Sequence, residues 1–146
     1  MTVVRVEGDK RAFLPLLLVG DESERMIDGY LERGELFAAY CGEDPVAVCV
    51  VVGLAGGLVE VKNLAVDSRW RRRGIGRMML RSVETLFPGS TIQLGTGEVP
   101  STMLFYQSCG YEVSHRIPDF FILNYDEPIV EDGIQLKDMV YLKKKV

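Results

Sequence analysis

Residues 59–80 read "VEVKNLAVDSRWRRRGIGRMML", and two rhythms meet inside them. Val59 and Val61 alternate with Glu60 and Lys62, the two-residue period of a strand running from about Leu58 to Val66. From Ile75 onward the apolar residues Ile75, Met78, Met79, Val83, Leu86 and Phe87 recur at helical spacing, with Arg77, Arg81 and Glu84 on the other face. Between the two lies Gly74-Ile75-Gly76, set among five arginines. A Gly-x-Gly that opens a helix directly after a strand lets the backbone approach a ligand closely and aims successive N–H groups at one spot. The helix N-terminus adds roughly half a positive charge there. Phosphate is the natural guest, and arginines would supplement the amides with bidentate contacts. No Gly-Lys-Ser/Thr follows, and the third glycine of the dinucleotide fingerprint is missing, so neither of those phosphate loops is supported. By spacing alone, a tight strand-to-helix turn with solvated arginines stays open beside the anion site.

Upstream, "VVRVEG" predicts a short first strand and "RAFLPLLLVG" a helix whose start Pro15 leaves undefined. Asp21 followed by Glu24 resembles a capping box for a second helix, with Met26, Ile27, Tyr30 and Leu31 on its apolar face and Gly34 as its stop. Residues 35–66 predict three strands in an antiparallel meander, with "GEDP" and "LAGG" as turns. Downstream, Pro88 and Gly89 end the arginine-flanked helix. "TIQLGTG" then reads as a strand, "STMLFYQSCG" as a helix ending at Gly110 and "YEVSHRI" as a strand. "DMVYLKKKV" closes the chain as a strand in which Met139 and Tyr141 alternate with Val140 and Leu142. Neither repeat nor linker interrupts the pattern, so the expectation is one α+β domain over residues 1–146.

Composition narrows the function. With 146 residues, 47% of them hydrophobic, the chain is long enough for one real core. A net charge of −4 argues against a general nucleic-acid or anionic-membrane binder, which carries a broad basic excess, so any anion site must be local. Trp70 beside the arginines leaves a nucleic-acid patch as a weak third reading. Three cysteines without Cys-x-x-Cys spacing and a single histidine, His115, support neither a disulfide framework nor a metal site. No apolar run approaches membrane-span length, and the expected location is the cytoplasm.

"RRRGIG", Arg71 to Gly76, resembles the Arg/Gln-x-x-Gly-x-Gly/Ala signature of the GCN5-related N-acetyltransferases, the GNAT family. It follows "VEVKNLAVD", which is similar to that family's central strand. Thirty residues on, "MLFYQSCGYE" resembles the family's second signature. The resemblance runs from about Leu36 to the end of the chain. It implies a mixed, mostly antiparallel sheet splayed into a V and flanked by helices, with acetyl-CoA in the opening and no metal. It further implies that the backbone of Leu64, Ala65 and Val66 pairs with the pantetheine as an added strand would. The amides across Arg72, Arg73, Gly74, Ile75, Gly76 and Arg77 would hold the pyrophosphate, with Arg71 to Arg73 as side-chain helpers. The expected activity is transfer of acetyl from acetyl-CoA to a primary amine of a small molecule or protein in a ternary complex, with a homodimer compatible. The alternative is an acyl-CoA-binding module of the same fold that has lost turnover.

The chemistry asks for a neutral amine, a polarised carbonyl and a proton for the departing thiolate. Tyr106 stands at the family position of the proton donor, and a phenol suits that task because it remains protonated at neutral pH. Glu60 is the first candidate for the base, since it shares a strand face with Lys62. An ordinary solvated ion pair explains the same pattern. Glu98 and Asp119 are further candidates, and a bulge near Asn63 would change which residues face the cofactor. The N–H of Leu64 is the expected carbonyl donor. Where the family often has a polar residue seven positions before the tyrosine, this chain has Val99, with Ser101 or Thr102 as substitutes. The aromatic and acidic stretch 115–142 is expected either to wall the acceptor site or to form a surface connection packing Phe121 and Tyr125. Tyr30 is a further candidate for the acceptor wall.

Overall fold

The expected meander forms, built from β2 (Glu35–Cys41), β3 (Asp44–Leu54) and β4 (Leu58–Val66). In the computed structural model, which describes residues 1–146, the chain divides into two units, Met1–Ser90 with Val146 and Thr91–Lys145.

In the first unit β1 (Thr2–Arg5), β2, β3 and β4 lie in that order, each antiparallel to the next. The β2–β3 turn is tighter than "GEDP" suggests. Cys41 pairs with Asp44 and Tyr40 with Pro45, so only Gly42 and Glu43 lie outside the strands, with Gly42 at φ +62°. α1 (Leu14–Gly20) follows a short 3-10 turn and carries Pro15 in its first turn, where a missing N–H costs nothing. α2 (Glu24–Tyr30) corrects the expected cap. Ser23 is the N-cap, its hydroxyl accepting from Met26 N, while Asp21 accepts from Ser23 N one step earlier. Past the other end of α2, the Lys10 ammonium donates to the carbonyls of Leu31, Glu32 and Gly34 at 3.2, 3.1 and 2.7 Å.

α1 and α2 cover one face of the meander. Leu17, Ile27, Tyr30 and Leu31 pack there on Leu36, Ala38, Val48, Val50, Val52 and Ala65. The other face of β3 is equally dry, with Ala47, Cys49 and Val51 buried, and α3 (Ile75–Glu84) packs on β3 and β4. Burial pushes the Cys49 thiol up to about 12, so it stays a neutral packing group. α3 stops three residues before the expected Phe87. Leu86 is exposed, whereas Leu80, absent from the periodic reading, is buried.

In the second unit β9 (Met139–Lys145) lies between β5 (Thr91–Gly97) and β6 (Glu112–Ile117), antiparallel to both. α4 (Pro100–Ser108) links β5 to β6 and closes at Gly110, φ +95°. Val140 and Leu142 are buried, and Met139 and Tyr141 are half-buried, as the alternation predicts. Two elements were not legible in the sequence: α5 (Phe120–Asn124) and the hairpin β7–β8 (Val130–Glu131, Ile134–Gln135). They form over a second apolar cluster of Val99, Phe121, Ile129 and Leu136, flanked by Phe120, Tyr125 and Met139.

A polar seam crosses the first core. Asn63, 3% exposed, donates from Nδ2 to Leu17 O at 2.9 Å and to the Tyr30 hydroxyl at 3.1 Å, while its Oδ1 has no partner. That oxygen is turned toward Gly20, where an added Cβ would overlap it and would lie 3.2 Å from the Ala65 Cβ. Gly20→Ala is therefore expected to destabilise the protein by about 1–3 kcal/mol, the range for overpacking. Because both residues contest one space, Gly20→Ala combined with Asn63→Ala should cost less than the sum of the single changes in urea denaturation. Strict additivity would contradict the clash.

Candidate active site

The strand-to-helix turn has the backbone geometry that an anion loop requires. Gly74 occupies the left-handed region (φ 77°, ψ 12°) as N-cap of α3, and its carbonyl accepts the first helical bond, from Met78 N at 3.0 Å. The amides that follow it lack helical acceptors and converge at the positive end of a ten-residue helix. Arg72 is also left-handed, at φ 61°, an uncommon conformation for a side-chain-bearing residue and one that sharpens the turn.

The arginines divide by partner. Arg69 forks onto Asp67 at 3.0 and 3.2 Å, and that hydrogen bonding holds the Asp67 carboxyl below its usual range. The Arg73 guanidinium lies 4.8 Å from the Trp70 ring centroid, so the supposed stacking platform is covered by the chain's own cation. Arg71 reaches Val66 O at 3.5 Å, the long limit of a hydrogen bond. Arg71, Arg72 and Arg73 are exposed, whereas Arg77 is half-buried.

β4 contains the bulge anticipated near Asn63. Val51 pairs with Val61 and Val50 with Asn63, which leaves Lys62 outside the ladder. Register then assigns the faces. Glu60 lies opposite Val52, Asn63 opposite Val50 and Ala65 opposite Val48, so all three share the face covered by α1 and α2. Glu60 is 6% exposed and its Oε2 is 2.5 Å from Lys62 Nζ. The expected ion pair exists, but only its Lys62 end reaches solvent, at 26% side-chain exposure, while the carboxylate is buried. Leu64 and Val66 fall on the opposite face, across from Cys49 and Ala47.

Tyr30 is built into the core rather than lining an open wall. It is 6% exposed, and its hydroxyl donates to Asp21 Oδ2 at 3.2 Å. Burial, with the Asp21 charge beside it and against the Asn63 hydrogen bond, pushes its phenol well above the usual range.

In the second unit Tyr106 is half-buried on α4, edge-on to Phe105 at 5.1 Å and to Tyr111 at 6.3 Å between centroids. Tyr111, 1% exposed, anchors that group and carries the Lys144 ammonium 5.6 Å from its ring centroid. Phe105 is half-buried beside Tyr106. Val99 is 1% exposed within the Phe121–Ile129–Leu136 cluster, so a polar residue there would be stranded. Ser101 does not point back to replace it but donates to Asp132 Oδ2 at 2.8 Å. Glu98 is exposed and forked onto Arg116 at 2.8 and 3.1 Å, which holds its carboxyl below the usual range. Arg116 also grips Asp138, whose other oxygen accepts from Asp119 N, so both minor base candidates belong to one surface clamp. No group of three or more His, Cys, Asp and Glu side chains is gathered as a metal site would need, and no helix is long and apolar enough to cross a membrane.

A glycine-capped turn after a bulged strand is the candidate site, and comparison with known proteins supplies the family. Residues 32–113 match the family model described as an acetyltransferase (GNAT) domain. The chain is 38% identical over 131 residues to the N-acetyltransferase YvbK of Bacillus subtilis strain 168, covering 87% of this chain and 84% of that protein. A Bacillus subtilis acetyltransferase solved with CoA superposes with a TM-score of 0.87 at 33% identity, covering 99% and 97% of the two chains. A GNAT acetyltransferase from Elizabethkingia anophelis with acetyl-CoA bound gives 0.91 at 29% identity, covering 99% and 97%. The chain belongs to the GCN5-related N-acetyltransferase family and is an acyltransferase.

Proposed function

We propose that the protein transfers the acetyl group of acetyl-CoA to a primary amine of a small molecule or protein within a ternary complex. The observation that carries this reading is β4 itself, where a buried carboxylate and the Leu64–Val66 backbone lead straight into the glycine-capped loop. The amides from Arg72 to Arg77 hold the pyrophosphate, Gly74 and Gly76 keep the approach open, and exposed Arg71 to Arg73 add charge-assisted contacts. Leu64, Ala65 and Val66 offer the pantetheine a strand-like edge, and the Leu64 N–H polarises the thioester carbonyl.

Glu60 takes a proton from the incoming ammonium, and the freed lone pair attacks the carbonyl carbon. The C–S bond breaks as the tetrahedral intermediate collapses, and Tyr106 supplies the proton that the sulfur acquires. Of the two protons the ammonium loses, one passes through Glu60 to solvent and the other replaces the one Tyr106 gave up. Relatives solved with CoA or acetyl-CoA support the donor. Val99 no longer favours an inert binding module, because its burial accounts for it.

Thermal shift with CoA, acetyl-CoA, ATP and NAD tests the donor. At a hundredfold excess over the dissociation constant, CoA is expected to stabilise by about 2.7 kcal/mol, a rise of roughly 8 °C, while ATP and NAD do little. Thiol release across an amine panel then tests turnover. No shift with either CoA species would end the reading, and binding without release on any amine would return weight to the module.

A further inference from the structure

Glu60 is the only charged residue buried in the chain, and it is buried with a counter-ion. The Lys62 ammonium reaches its carboxylate from the one residue of β4 that the ladder with β3 leaves out. The face that Glu60 shares with Val50, Val52, Leu36 and Ala38 beneath α1 and α2 also carries the Asn63 amide and the Tyr30 hydroxyl, which donates to Asp21. Burying a carboxylate is unfavourable even when a half-buried ammonium pairs with it, so a strand that serves only packing has no use for it.

We propose that Lys62 is a specificity-determining residue for the acceptor, selecting weakly basic amines of the α-amino type over strongly basic alkylamines. This rests on Glu60 acting as the base. Without Lys62 the buried carboxylate would favour a strongly basic ammonium, which gives up its proton poorly and so lacks the lone pair with which to attack. Lys62 cancels that attraction, and its own charge opposes a second cation beside it. The same electrostatics lower the basicity of a lysine placed next to another cation. An α-amino group titrates near about 8 and a lysine-type amine near about 10.4, so the first gives up its ammonium proton far more readily. The first proton of the acceptor ammonium goes to Glu60 and on to solvent, the C–N bond forms, the second replaces the one Tyr106 gives the sulfur, and the C–S bond breaks.

The test measures kcat and KM against pH at saturating acetyl-CoA, with glycinamide as the weakly basic probe and n-propylamine as the strongly basic one. Wild type is expected to favour glycinamide by about tenfold or more at pH 7.5. Lys62→Met should lower the KM for n-propylamine with little change in the KM for glycinamide, whereas Lys62→Arg retains the wild-type pattern. Lys62→Gln replaces the methionine variant if that one does not fold. An unchanged preference in the uncharged variant, an arginine variant that behaves like it, or turnover of neither amine by wild type would overturn the proposal. Glu60→Gln separates the two layers. Full turnover in that variant removes Glu60 as base and this inference with it. Loss of turnover there, with an unchanged KM for n-propylamine in Lys62→Met, overturns the inference alone.

Discussion

Gly76→Val is expected to abolish measurable CoA binding while leaving the folded far-ultraviolet spectrum in place. Gly76 is the second residue of α3, has an ordinary helical backbone, and is half-buried. Valine is tolerated there by the helix itself, with an intrinsic propensity slightly better than that of glycine. What valine removes is the backbone approach. Two methyl groups would stand over the amides at which a pyrophosphate must arrive, and a diphosphate held 1–2 Å further out loses several charge-assisted hydrogen bonds together. About 3 kcal/mol or more is at stake, a factor above 100 in dissociation constant by isothermal titration. Gly74 separates this from a purely conformational effect. An added Cβ there meets nothing within 4 Å, but its φ of +77° strains any side chain, so Gly74→Ala should bind about fivefold more weakly through the turn alone. A Gly76→Val protein that binds CoA within fivefold of wild type would rule out the loop as the pyrophosphate site.

Tyr106→Phe is expected to lower kcat by about 100-fold with a CoA dissociation constant unchanged within about twofold. The geometry makes this a clean substitution. The Tyr106 ring is oriented edge-on by Phe105 and Tyr111, and Tyr111 is itself fully packed, so a phenylalanine ring inherits the same contacts. Only the hydroxyl is lost, and with it the proton that the proposed mechanism gives to the leaving thiolate. If thiolate departure limits the rate, poorer leaving groups should suffer more, which acyl donors of differing thiol acidity would measure. Turnover equal to wild type would remove Tyr106 from the chemistry and leave it as one more packed aromatic.

The parts legible beforehand are those whose signal is local. Val59 to Val66 and Ile75 to Val83 announce strand and helix within their own windows, and the glycines between them announce the loop. The Lys62 bulge was only an anticipated possibility, because a bulge is a relation between two strands and the Val50–Val51 side of it lies ten residues upstream. Ser23 won the cap of α2 over Asp21 because Asp21 is itself engaged by the Tyr30 hydroxyl and by Ser23 N. α5 and the β7–β8 hairpin escaped for a different reason. Five residues and two pairs of residues carry no usable periodicity, and what holds them is the cluster around Val99, assembled from four separate segments. That same cluster explains the departure from the family pattern at Val99, which composition alone made look like a defect.

The ladder of β4 also has an arithmetic. Remove Lys62 and the remaining order, Glu60, Val61, Asn63, Leu64, Ala65, alternates without interruption against Val52, Val51, Val50, Cys49 and Val48. The sheet is therefore complete with one letter fewer, and the supernumerary residue is a cation set beside the chain's one buried anion. A strand that only had to fold would be a residue shorter and uncharged at its centre. The extra residue is the point at which the sequence departs from the needs of the sheet, and it does so next to the carboxylate assigned to the chemistry.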